Sequence, residues 1–133
     1  MQIKRETDYA IRCILYLSTQ KDKVTMIEEI SKQMCVPRDF LAKILQRLSK
    51  QNIVKSFRGI KGGFQLMKEP EQLNLLDVIE AVEGPVTMND CAVDQRNCDR
   101  SNACPVHPVW VEIREEMRKM LKSKTFKDLL STM

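Results

Sequence analysis

A chain of 133 residues with 43% hydrophobic residues can bury one core with an appended arm and is too apolar for global disorder. Its 4 glycines and 5 prolines exclude a collagen-like or low-complexity chain, and no apolar run reaches bilayer length. The net charge of +4 is unevenly spread: residues 1–70 hold 14 Lys and Arg against 7 Asp and Glu, and residues 71–133 hold 8 against 11. The first half is therefore the part suited to a polyanion partner.

Residues 1–6 lack the apolar stretch of a secretory signal, so the expected location is cytoplasmic, with no membrane partner. Its five cysteines would then stay reduced. Residues 3–19 repeat apolar side chains at helical spacing through Ala10, Ile14 and Leu17. Thr25 and Glu28 have the spacing of a capping box, which predicts a short second helix carrying Ile27, Ile30 and Met34. Pro37 closes that helix and suits the first turn of the next, over residues 38–51. That third helix has Leu41, Ile44, Leu45 and Leu48 on one face and Arg38, Lys43, Arg47 and Lys50 elsewhere. Two helices joined by a tight turn, the second basic outside, form a helix-turn-helix pattern.

Residues 53–57 and 64–67 alternate apolar and polar around Arg58-Gly59-Ile60-Lys61-Gly62-Gly63, which reads as a β-hairpin wing. Between Arg38 and Lys61 there are seven basic residues and one acid, Asp39. Double-stranded DNA is the partner such a segment fits, since affinity for it comes largely from neutralised phosphates. Arg38 and Lys43, near the start of the reading helix, are placed for base edges. Arg47, Lys50 and Lys55 are placed for phosphates. At the wing, Gly59, Gly62 and Gly63 let the backbone turn and approach a sugar-phosphate wall, while Arg58 and Lys61 can enter a narrow minor groove.

Residues 74–83 form a further helix, capped by Asn74 and stopped by Gly84-Pro85. Residues 86–108 have no period but contain Cys91, Cys98 and Cys104, spaced C-x6-C-x5-C, with His107 three positions on. Thiolates and imidazole suit zinc or iron–sulfur centres, and the C-x2-4-C pairs of a zinc knuckle are absent. A thiol sensor is the other open reading. A long helix from Pro108 to about Lys122 carries Val109, Trp110, Ile113, Met117, Met120 and Leu121 as one apolar stripe, and residues 125–130 form a capped final turn. Cys13 falls among core positions and Cys35 in the turn before the reading helix. No catalytic triad, P-loop or dinucleotide fingerprint occurs, so an enzyme is not expected; a cluster carrier would leave the basic helix and wing without a use.

Several of these stretches together resemble the iron–sulfur-cluster regulators of the IscR, NsrR and RirA type. They are Thr7-Asp8-Tyr9-Ala10-Ile11-Arg12, Arg58 to Phe64, Asp77 to Gly84, the three-cysteine loop and Trp110. The resemblance implies a mainly α fold: a winged helix-turn-helix with a two-stranded β wing and a long C-terminal dimerisation helix. It implies a homodimer on a pseudo-palindromic operator, controlled by an iron–sulfur cluster that senses cluster supply, iron, nitric oxide or redox state. It implies Cys91, Cys98 and Cys104 as ligands. His107 matches the fourth ligand of IscR-type members, which hold a 2Fe–2S cluster. Asp8 of the partner subunit matches that of NsrR-type members, which hold a 4Fe–4S cluster. The expected division is residues 1–84 for DNA binding, 85–107 for the cluster loop, and 108–133 for dimerisation and the C-terminal turn.

Overall fold

The computed structural model describes residues 2–133. Helix α1 (Arg5–Thr19) lies at the centre and buries Ala10, Cys13, Ile14 and Leu17, as its 3.6-residue period requires. Helix α2 (Ile27–Met34) and helix α3 (Arg38–Lys50) pack on it, and α3 buries Leu41, Ile44, Leu45 and Leu48. Strands β1 (Val54–Phe57) and β2 (Gly63–Leu66) pair antiparallel, from Val54 opposite Leu66 to Phe57 opposite Gly63. Helix α4 (Leu75–Glu83) closes the head, capped by Asn74 and Asp77 in a reciprocal box. The long helix α5 (His107–Lys122) and the short α6 (Phe126–Leu130) complete the chain. The result is the mainly helical winged helix-turn-helix expected from the sequence.

Three local readings change. Thr25 does not cap α2: the cap position is Met26, without a side-chain cap bond. The Thr25 backbone instead bridges to Phe64, with N–H···O distances of 2.8 Å in both directions, and so adds one rung to the wing. Its hydroxyl is buried without a partner. Helix α2 ends before Pro37, at Cys35, which takes the left-handed conformation at φ 55°. Pro37 then stands at the cap position of α3 rather than inside its first turn.

The third change concerns the C-terminal residues. Residues 108–133 do not form one arm, because α6 folds back onto α1. Phe126 is fully buried in the same core cluster as Ala10, Cys13 and Leu45. Its N–H donates to the Leu73 carbonyl at 2.9 Å, and Leu75 N–H donates to Lys124 at 3.0 Å. The chain leaves the head after α4, runs through the cysteine loop and α5, and returns to seal the core it started from.

Helix α5 lies against α4. Leu76, Ile79 and Val86 form a second small core, joined by Met117 and Leu121. Arg118 Nη1 donates to both carboxylate oxygens of Glu80, at 2.7 and 2.8 Å. Glu80 also accepts the Val86 N–H at 3.1 Å, and Arg114 Nε donates to the Val86 carbonyl at 3.0 Å. The entry to the cysteine loop is thus tied to both helices.

Candidate nucleic-acid interface and cysteine loop

Helix α3 buries one stripe and leaves the opposite one in solvent, where Lys43 and Lys50 are exposed. Lys55, Arg58 and Lys61 of the wing are exposed as well, so five cations share one helix and hairpin. The two arginines of α3 are engaged within the chain. Arg38 pairs with Glu28 of α2 at 3.0 Å. Arg47 pairs with Glu6 of α1 at 3.0 Å and donates to the Val82 carbonyl at 3.4 Å. Such exposed pairs are weak, about 0–1 kcal/mol, so they orient these side chains without removing them from use.

The wing glycines serve different ends. Gly59 is at φ 103°, a conformation that favours glycine, with open space where a Cβ would stand. A Cβ on Gly62 would meet the Phe57 carbonyl at 2.3 Å, and one on Gly63 would meet the Thr25 carbonyl at 2.2 Å. The bareness of Gly62 and Gly63 is therefore used by the hairpin itself and by its rung to Thr25. Ile60, at the tip between the two cations, is 96% exposed.

The cysteine loop is ordered by polar contacts of its own. Three-ten turns form at Asp90–Ala92 and Gln95–Asn97. Asp94 caps the second, accepting the Arg96 N–H at 2.9 Å and pairing with its guanidinium at 2.7 Å. That contact holds the Asp94 carboxyl below its ordinary range. The buried Ser101 hydroxyl reaches the carbonyls of Gln95 and Cys98, both at 3.0 Å. Cys91 is buried, Cys104 half-buried and Cys98 exposed.

Three thiols and an imidazole are a donor set that iron–sulfur centres accept. His107 fits a ligand role in one further respect: it is 6% exposed, and its Nδ1 is buried without a hydrogen-bond partner. A buried ring nitrogen is ordinarily paired or bound to a metal. Among the described residues no three ligating groups stand close enough to share one metal ion. Cys91, Cys98, Cys104 and His107 are therefore not drawn together around one point in this structure. Asp8, the other possible fourth ligand, lies on α1 in an ion pair with Arg12 at 3.0 Å.

Gln46 is exposed on α3 between Lys43 and Lys50, at helical spacing from both.

Comparison with known proteins agrees with this layout. The sequence profile of the Rrf2 family, described as iron-dependent transcriptional regulators, matches residues 3–132. A protein of Aquifex aeolicus described as an HTH-type transcriptional regulator is 35% identical over 125 residues, 92% of this chain and 87% of that one. The HTH-type transcriptional regulator NsrR of Shouchella clausii is 30% identical over 132 residues, 98% of this chain and 89% of that one. Among solved structures, CymR, the global cysteine regulator of B. subtilis, superposes with TM-score 0.80 at 24% identity, covering 100% of this chain and 98% of that one. T. potens IscR superposes with TM-score 0.78 at 20% identity, covering 99% and 88%. At those identities the two structures speak for the fold. Among the described residues no helix is long and apolar enough to cross a membrane.

Proposed function

The chain belongs to the Rrf2 family of transcriptional regulators, and from that premise we propose a homodimer that grips a pseudo-palindromic operator and is controlled through its cysteine loop. The observation that carries the DNA reading is the grouping of Lys43 and Lys50 with Lys55, Arg58 and Lys61 on one exposed helix and wing. The major groove admits a helix, and a dimer sets two such helices about one DNA turn, ~34 Å, apart. Lys43 faces the groove, Arg47, Lys50 and Lys55 serve the flanking phosphates, and Arg58 and Lys61 of the wing enter the adjoining minor groove. The apolar stripe of α5 is the pairing surface, since Val109 and Met120 are exposed on it.

The regulatory group we assign is an iron–sulfur cluster, 2Fe–2S or 4Fe–4S, held by Cys91, Cys98 and Cys104, with His107 or Asp8 of the partner subunit as fourth ligand. When bound, such a cluster supplies a redox-sensitive tie between the thiolates. The chain's own part is mechanical. Cys91 is buried beside α5, whereas Cys98 stands exposed to solvent. The Glu80, Val86, Arg114 and Arg118 contacts pass any change in the loop to both α4 and α5. A ligand acts only through its differential affinity for two states, and a coupling of ~1–3 kcal/mol would alter operator affinity about 5- to 150-fold. Relatives that share the fold differ in name and signal, as the cysteine regulator CymR does. The cysteine loop and the unpaired His107 nitrogen support the cluster reading here.

The test uses full-length protein purified without oxygen, with and without chelator treatment. Both forms are used to capture genomic DNA fragments, which are then sequenced. Fragments sharing an inverted repeat, recovered with different affinity by the two forms, are the expected result. No enrichment with either form would overturn the operator reading. Protein free of iron and acid-labile sulfide would overturn the cluster reading and leave the operator standing.

A further inference from the structure

We propose that Gln46 reads an adenine in each half-site, with the concavity beside it receiving a thymine methyl group. The assignment rests on α3 being the DNA-reading helix. At 100° per residue, positions 39, 43, 46 and 50 fall on one face, opposite the buried Leu41, Ile44, Leu45 and Leu48. Two of these four are lysines, which act as mobile point charges and carry little directional information, and the Asp39 carboxylate can only accept. Arg38 and Arg47, whose planar forks would read guanine, are turned to Glu28 and Glu6 at the flanks of the helix. Gln46 alone on this face presents a donor and an acceptor at fixed spacing, and among the described residues no hydrogen bond engages its side chain. That pair matches the N6 amino group and N7 of adenine, the bidentate contact glutamine makes in a major groove.

The surroundings narrow the match. A groove of about 390 Å³ opens beside Gln46 between α3 and the wing, lined by Ile27, Ala42, Ser49 and Phe64 among others. Its apolar part, with Ala42 half-buried one turn before Gln46, suits the C5-methyl that distinguishes thymine. Lys50, on the same rim, is placed to hold the neighbouring phosphate and fix the depth of the helix.

The test selects bound duplexes from a randomised library with the full-length, anaerobically purified protein, its chelated form, and the variants Gln46→Ala and Gln46→Arg. The side chain is exposed, so both variants should fold, which circular dichroism checks. The native protein should require A·T at one position per half-site. Gln46→Ala should lose that preference, with about 5- to 150-fold weaker binding for each half-site that carries the preferred base pair and unchanged preferences elsewhere. Gln46→Arg should turn the same position to G·C. A native motif that survives Gln46→Ala unaltered overturns this assignment alone. Failure of the native protein to select any motif, in either form, overturns the reading of α3 and the assignment with it.

Discussion

The five thiols of this chain are held at different depths, and depth decides what each can do. Cys13 lies fully buried on α1 among apolar neighbours, and that burial pushes its thiol up to about 12. It is a packing residue, as its place in the first helix implies. Cys35 and Cys98 are exposed and open to reagents. One consequence appears at high pH. In the unfolded chain the Cys13 thiol ionises near its ordinary value of 9.0, and in the folded chain only near 12. The folded state therefore keeps its proton longer. The stability this thiol contributes is intact below pH 9 and drains away as pH rises toward 12, by about 1.4 kcal/mol per unit inside that window. Between pH 8 and 10 the native protein should lose about 1 kcal/mol through this group alone. Urea midpoints at the two pH values check it: Cys13→Ala should fall less steeply than the native chain. Equal slopes would mean that the thiol ionises in place.

At the scale of elements, periodicity made most of the head legible. Ala10, Ile14 and Leu17, then Leu41 to Leu48, mark their helices because each buries one stripe. The alternation around Gly62-Gly63 marks the hairpin in the same way. What escaped depends on partners distant in sequence. Thr25 followed by Glu28 has the form of a cap, yet its backbone is claimed by Phe64, a rung too short to leave a pattern. Arg38 and Arg47 look like free cations until the packing of α1 and α2 brings Glu6 and Glu28 beside them. In the site, the cysteines announced themselves by type and spacing. Their separate depths did not, because turns held by Asp94 and Ser101 leave no apolar period. The return of α6 is the clearest instance. Five residues beyond a long helix look like an appendage, but Phe126 completes the core under α1. Phe126→Ala should therefore destabilise the head by about 3–5 kcal/mol, as for other large buried aromatics. Hydrogen exchange would check it, with protection expected to fall in α1 and α4 as well as at the C-terminus. Loss confined to residues 107–133 would restore the simpler division into head and arm.

For the whole molecule the outstanding relation is between pairing and DNA binding. The stripe on α5 is only partly used within one chain: Met117 and Leu121 meet the second core, while Val109 and Met120 stand 47% and 68% exposed. Apolar side chains left in solvent along one helical stripe are what a pairing face offers. If α5 is the seam, Met120→Asp should give a folded monomer, because the substitution touches solvent in the single chain and a buried contact in the pair. The monomer should also bind differently with salt. Each neutralised phosphate contributes about −0.9 to the slope of log affinity against log salt concentration. With about three phosphates met per subunit, the dimer slope is near −5 and the monomer slope near −3. Sedimentation gives the mass, and titrations of a labelled palindrome at several salt concentrations give the slope. The two readouts must move together. A variant that sediments as a dimer and keeps the native slope would place the seam elsewhere, whereas a monomer with the native slope would mean that one subunit makes all the phosphate contacts.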